Sequence, residues 1–159
     1  MITTPGHGTF PMGHATQTYA VGHVLKELLN LDPGYPTVIE QLDRQAARIA
    51  TNRVIAGVHF PVDSMAGRML GVALGEYFVG RCTGNTAPQK FMNRKFIAGD
   101  IDTNPTTDFN PFNAHQNLDQ PASTAEFYSY YPDPSSIPYS PLMEYVWNMA
   151  KAEWAAKFP

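Results

Sequence analysis

In "NRVIAGVHFPVDSMAGRMLGVALGEYFVG", residues 52–80, one helix ends, the chain turns, and a second helix begins. Gly57 closes the first helix. Pro61 suits the first turn of the second, over about 61–80, because its missing N–H would be unsatisfied there anyway. Arg53 and His59 lie six residues apart and would occupy different faces of one continuous helix. Flanking a turn, they can instead enter one space. Asp63, four residues beyond His59, stands where a first-turn carboxylate can accept the imidazole Nδ1–H. That bond fixes the tautomer and leaves Nε2 free. Arg53 adds a planar fork of donors matched to an oxyanion. The set suits phosphoryl-type chemistry. A plainer assignment is also open: Asp63 as a helix cap, Arg53 as a surface ion-pair partner, and His59 as a core histidine.

Asp63, Gly67, Gly71 and Gly75 recur every four residues on one face of this helix. Glycine inside a helix costs about 1 kcal/mol relative to alanine. Three in register imply a second backbone crossing very closely, which would hold the Asp63–His59 pair rigidly.

Upstream, "FPMGHATQTYAVGHVL" (residues 10–25) opens a helix expected over 14–31. Its apolar stripe is Ala20, Val21, Val24, Leu25, Leu28 and Leu29, and "LDPGYP" (residues 31–36) stops it. Thr37 is the expected N-cap of the next helix, with Gln41 nearby and Val38, Leu42, Ile49 and Ala50 as its stripe. Met65, Met69, Leu70, Ala73, Tyr77 and Phe78 are expected to face inward from the third helix. After Arg81 the composition shifts to Pro, Asn, Asp, Thr and Gln. Residues 82–138 read as a long wrapped loop without a convincing strand, holding short helical turns such as 121–128. A last helix over 141–157 presents Leu142, Tyr145, Val146, Met149 and Trp154. The expected architecture is one all-α domain, 1–159. Core helices fill 14–81, an irregular Pro/Asn-rich segment covers 82–138, and a C-terminal helix lies in 139–159.

The 159 residues suffice for a real core. A net charge of −3 gives no reason to expect a nucleic-acid partner. The most apolar helical stretch, residues 64–80, is short for a membrane span and carries Arg68 and Glu76. No basic segment followed by an apolar one marks a signal peptide at the N-terminus, so a soluble protein of open compartment is expected. Cys82 stands alone, which excludes an internal disulfide. No pair among the five histidines has zinc-site spacing; His7 reads as a mobile N-terminal residue and His23 as structural. "DIDTNP" (residues 100–105) begins like a calcium loop, but Pro105 occupies the glycine position and no closing glutamate follows. The aromatic run "EFYSYYPDPSSIPY" (residues 126–139) reads as a lid over the bundle.

Together, "FPMGHAT" and "NRVIAGVHFPVD" resemble the signature of the type 2 phosphatidic acid phosphatase and vanadium-dependent haloperoxidase superfamily. Its three blocks are K-x6-R-P, P-S-G-H and S-R-x5-H-x3-D. The third matches at Arg53, His59 and Asp63, with Asn52 in place of serine. The second matches at Pro11, Gly13 and His14, with Met12 in place of serine. The blocks occur in the family's order and at its usual interval, and the resemblance covers roughly Thr9 to Gly80. It implies a helical-bundle fold in which His59 binds vanadate in a haloperoxidase or attacks phosphorus in an acid phosphatase. Asp63 would orient His59, Arg53 and the Gly13 N–H would hold oxyanion oxygens, and His14 would be the general acid–base. Met12 removes a serine hydroxyl expected to bond the oxyanion. The first block is missing, since no Arg-Pro dipeptide occurs in the chain; Lys90, Arg94 and Lys95 are its candidate replacements.

Ala15 and Thr16 after the site histidine, and the lack of membrane helices, place the haloperoxidase first. The cofactor would then be vanadate, with peroxide and halide as substrates. "GVHFPVD" keeps the phosphatase open as the alternative, a hydrolase taking phosphomonoesters through a phosphohistidine without a cofactor. A third reading is an incomplete or non-catalytic subunit that keeps an oxyanion pocket. The expected partners are a small-molecule substrate or oxyanion, an upstream segment or second chain carrying the missing Lys/Arg block, and a further copy in a homo-oligomer.

Overall fold

The computed structural model describes residues 6, 8–31, 34–84, 92–97, 108–120, 123, 125–132 and 137–158. Its elements, in order, are α1 (Gly13–Leu28), α2 (Pro36–Ile55), α3 (Pro61–Thr83), β1 (Met92–Phe96), a 3-10 turn (Ala114–Gln116), β2 (Tyr128–Pro132) and α4 (Pro141–Lys157). The chain is mostly helical, as the periodicities predict.

The glycine face of α3 is filled by α1. A Cβ at Gly67 would stand 2.6 Å from the Met12 carbonyl oxygen, one at Gly71 2.5 Å from that of Thr16, and one at Gly75 2.8 Å from the His23 Cβ. Real Cβ atoms do not approach so closely, so only glycine admits this crossing. Met12, Ala15 and Tyr19 thereby meet Met65 of α3 and Ala46 and Ala50 of α2 in the main core, which Phe109, Leu118, Phe127 and Tyr128 close from the other side. A smaller cluster joins Val79, Cys82 and Trp147 at the α3–α4 end.

Several expectations are corrected. Helix α1 ends at Leu28, after which Asn30 takes a positive φ of 51°. Tyr35, not Thr37, is the N-cap of α2: Pro36 needs no hydrogen bond in the first position, and the Val38 and Ile39 amides bond the Tyr35 carbonyl. On α3, Leu70, Tyr77 and Phe78 are exposed while Met65 is fully buried. The small residues decide which face turns inward, because they allow the closest backbone approach.

The wrapped loop contains a two-stranded antiparallel sheet, pairing Met92 with Pro132, Arg94 with Tyr130 and Phe96 with Tyr128. Residue 128 thus begins a strand and does not end a helical turn. Alternation in "MNRKF" is hidden because one of its inward positions is Arg94, whose charge is met by Glu76. The aromatic run is divided: Phe127 and Tyr128 are core, while Tyr131 and Tyr139 are exposed. In α4 the expected stripe lies outward, with Leu142 73% and Tyr145 63% exposed, and Trp147 is its buried residue. No helix among the described residues is long and apolar enough to cross a membrane. His7, Lys90 and residues 100–105 lie outside the described residues.

Candidate oxyanion site

Two helix starts and one helix end build the site. Residues 56–60 carry the chain from the end of α2 to the start of α3, with Gly57 at a φ of 71° making the reversal. Asp63 is the third residue of α3, and its Oδ2 accepts from the Phe60 amide at 2.9 Å. The same oxygen lies 3.2 Å from His59 Nδ1. With the proton on Nδ1, the imidazole donates to a carboxylate that is itself held by the backbone. Both side chains are buried, at 9% and 3% exposure, and His59 Nε2 has no partner among the described residues. The bond from the Phe60 amide is the helix-cap role of the plainer assignment, so Asp63 caps α3 and meets His59 with the same oxygen.

Arg53 occupies the last turn of α2 and is half-buried. Its Nε is buried without a hydrogen-bond partner, so the surface ion pair of the plainer assignment is not formed among the described residues. Three other described cations of the helices are committed. Arg68 bonds the Gln116 carbonyl at 2.6 Å, Lys26 pairs with Asp43, and Arg44 pairs with Glu40.

Gly13 and His14 are the first two residues of α1 and both are exposed. Their amides precede the first intrahelical bond and face outward with the positive end of the helix dipole. A Cβ on Gly13 would meet nothing within 4 Å, so open space lies in front of it. Burial first, then the charges of Arg53 and His59, hold the His14 imidazole below the ordinary histidine range. The Met12 N–H, bonded to the Asp63 carbonyl at 3.0 Å, joins the starts of α1 and α3 directly.

Met12 stands where the resemblance has a serine. It is fully buried, with Sδ 3.9 Å from Ser64 Oγ, so its side chain packs the core and lines no anion pocket. Arg94 is already committed, which removes it as a replacement for the missing block. Arg94 is buried against Glu76 at 2.8 Å and Asp119 at 2.9 Å, and Lys95 lies on the exposed side of β1. No group of three or more His, Cys, Asp or Glu able to hold a metal ion occurs among the described residues. His23 is buried in the α1–α3 crossing, and its Nε2 has no hydrogen-bond partner among the described residues.

No family model matches the chain, and no solved structure matches it significantly. One curated protein does: a vanadium-dependent bromoperoxidase of Ascophyllum nodosum, 31% identical over 91 residues. That alignment covers 43% of this chain and 16% of the bromoperoxidase. The chain therefore spans about a sixth of the length of the relative it resembles, and the similarity is to a haloperoxidase.

Proposed function

We propose that the His14–Arg53–His59 region binds a tetrahedral oxyanion and that this protein is vanadium-dependent haloperoxidase-like. One observation carries the reading: Asp63 fixes His59 through Nδ1 and leaves Nε2 unpartnered, while the nearby Arg53 keeps a buried Nε without an acceptor. A buried donor without a partner costs roughly 1–3 kcal/mol, and an oxyanion between these groups would supply the missing acceptor. The donor set suits vanadate: one imidazole nitrogen, one guanidinium, and the Gly13 amide at a helix start. When bound, vanadate activates peroxide for the two-electron oxidation of halide.

The residues of this chain then divide the work. Asp63 holds the His59 ring in one tautomer. Arg53 and Gly13 N–H orient and neutralise anionic oxygens. His14, neutral near pH 7 because its protonated form is disfavoured, can take a proton from an incoming hydroxyl and return it. A single arginine under-neutralises a multiply charged oxyanion, so the reading calls for further cationic side chains beside Arg53, on another segment or a partner chain. Phosphomonoester hydrolysis would use the same geometry; the similarity to a bromoperoxidase is the support for putting halide oxidation ahead of it.

The test is peroxide-dependent bromide oxidation with orthovanadate, run beside hydrolysis of a chromogenic phosphomonoester, in the wild type and in His59→Ala and His14→Ala. Vanadate-dependent bromide oxidation lost in both variants is the expected result. Hydrolysis alone, lost in the same variants, transfers the assignment to the phosphatase. Equal residual activity in wild type and His59→Ala overturns both. Oxyanion binding without turnover identifies the non-catalytic subunit.

A further inference from the structure

A second cavity, of about 270 Å³, opens between α1, α2, α3 and the 108–120 segment. Its charged groups are already matched. Lys26 pairs with Asp43 at 2.6 Å, and Arg94 pairs with Glu76 and Asp119. Arg68 spends its guanidinium on the Gln116 carbonyl and on the Tyr19 ring, 5.7 Å away. A ligand with net charge would have to break one of these arrangements.

Two neutral lining side chains are left over, beside the buried Arg94 Nε, an unpartnered donor on a guanidinium that two carboxylates already hold. Tyr19 is 6% exposed and His23 8%, yet Tyr19 Oη and His23 Nε2 have no hydrogen-bond partner among the described residues. Burial raises the Tyr19 pKa well above its usual value and lowers that of His23, so the phenol keeps its proton and the imidazole stays uncharged. The two residues lie four apart on one face of α1, so a single hydroxylated molecule can meet both. Buried polar groups are normally satisfied by protein or ordered water. At a water's share of roughly 30 Å³ of liquid, the space exceeds what one bridging water fills several-fold. The walls also include the faces of Tyr19 and Phe112 and the apolar Val72 and Leu118.

We propose that this cavity is a binding site for a small uncharged hydroxylated ring, of monosaccharide or cyclitol size. One ligand hydroxyl accepts from Tyr19 Oη–H, another bonds His23 Nε2, and the ring carbons lie on the apolar walls. The site is independent of the oxyanion region.

The probe is myo-inositol, titrated into the protein while the ring resonances of His23 and Tyr19 are followed by NMR. Expected is a saturable shift at both rings with half-saturation on the order of millimolar, as weak neutral ligands give. Tyr19→Phe should weaken it by at least about tenfold, because a site built around a hydroxyl rejects its loss. His59→Ala should leave it unchanged, which separates this site from the oxyanion reading. His23→Gln provides the second variant if Tyr19→Phe does not fold. A linear, unsaturating drift is an osmolyte effect on the whole protein and overturns the proposal. So does equal binding by Tyr19→Phe, or a saturable response at the same rings to inorganic phosphate instead of myo-inositol.

Discussion

The Met12 backbone N–H donates to the Asp63 carbonyl at 3.0 Å, so the residue entering α1 is joined directly to the third residue of α3. This bond brings the two sequence motifs into one site, and the Met12 side chain secures it from below. Met12→Ser shortens a fully buried side chain. Large-to-small core changes of this kind cost about 2–5 kcal/mol, less about 1 kcal/mol recovered by a serine N-cap. A net loss near 2 kcal/mol in urea unfolding is expected, with no gain in orthovanadate affinity. Tighter oxyanion binding in Met12→Ser would show that this position faces the pocket after all.

Gly71→Ala places a methyl 2.5 Å from the Thr16 carbonyl oxygen, against backbone that has little room to yield. Overpacking typically costs 1–3 kcal/mol, roughly, and the gain in helix propensity of about 1 kcal/mol offsets only part of it. Gly22→Ala on α1 is the matched control, since its Cβ meets nothing within 4 Å. Denaturant midpoints should move in opposite directions, down for Gly71→Ala and up for Gly22→Ala.

Asp63→Asn keeps an acceptor for the Phe60 amide but removes the charge that holds the proton on His59 Nδ1. Nitrogen-15 NMR of the His59 ring should show the Nε2–H tautomer gaining population while thermal stability changes little. Any turnover dependent on His59 should fall by roughly 10–100-fold, the usual effect of losing a group that orients a functional histidine. An unchanged tautomer ratio would mean that Asp63 serves only as a helix-start residue.

Burial holds the His23 pKa below the ordinary histidine value; Lys26 and Arg94 add to the effect, and Glu76 and Asp43 oppose it. Between the lowered value and about 6.5 the unfolded chain binds more protons than the folded one, so stability falls as pH drops through this window. Exposed His14 shifts in the same direction. Thermal unfolding should therefore show Tm decreasing from about pH 7.5 to about pH 5.5, with a shallower decrease in His23→Gln. Identical slopes in the two proteins would assign the pH dependence to other groups.

Much of the helical framework was legible because each helix carries its own punctuation. Pro61 starts α3, Gly57 makes the preceding reversal, and the four-residue glycine period announces the crossing partner. The Arg53, His59 and Asp63 spacing was readable for the same reason: all three lie within one helix–turn–helix, where local geometry sets the distances. The sheet was not legible. Strands β1 and β2 pair across more than 30 residues, and an alternating pattern is disguised where a buried arginine meets a glutamate from another element.

Local periodicity and turn chemistry specify where helices begin and end and that α1 and α3 must cross at small residues, since these follow from short-range sterics. Burial of a given side chain depends on which elements cover it, a long-range outcome that no single segment encodes. Met12 is accordingly core and not pocket, Arg94 belongs to Glu76 and not to the oxyanion region, and the apolar face of α4 lies outward while Trp147 anchors the helix.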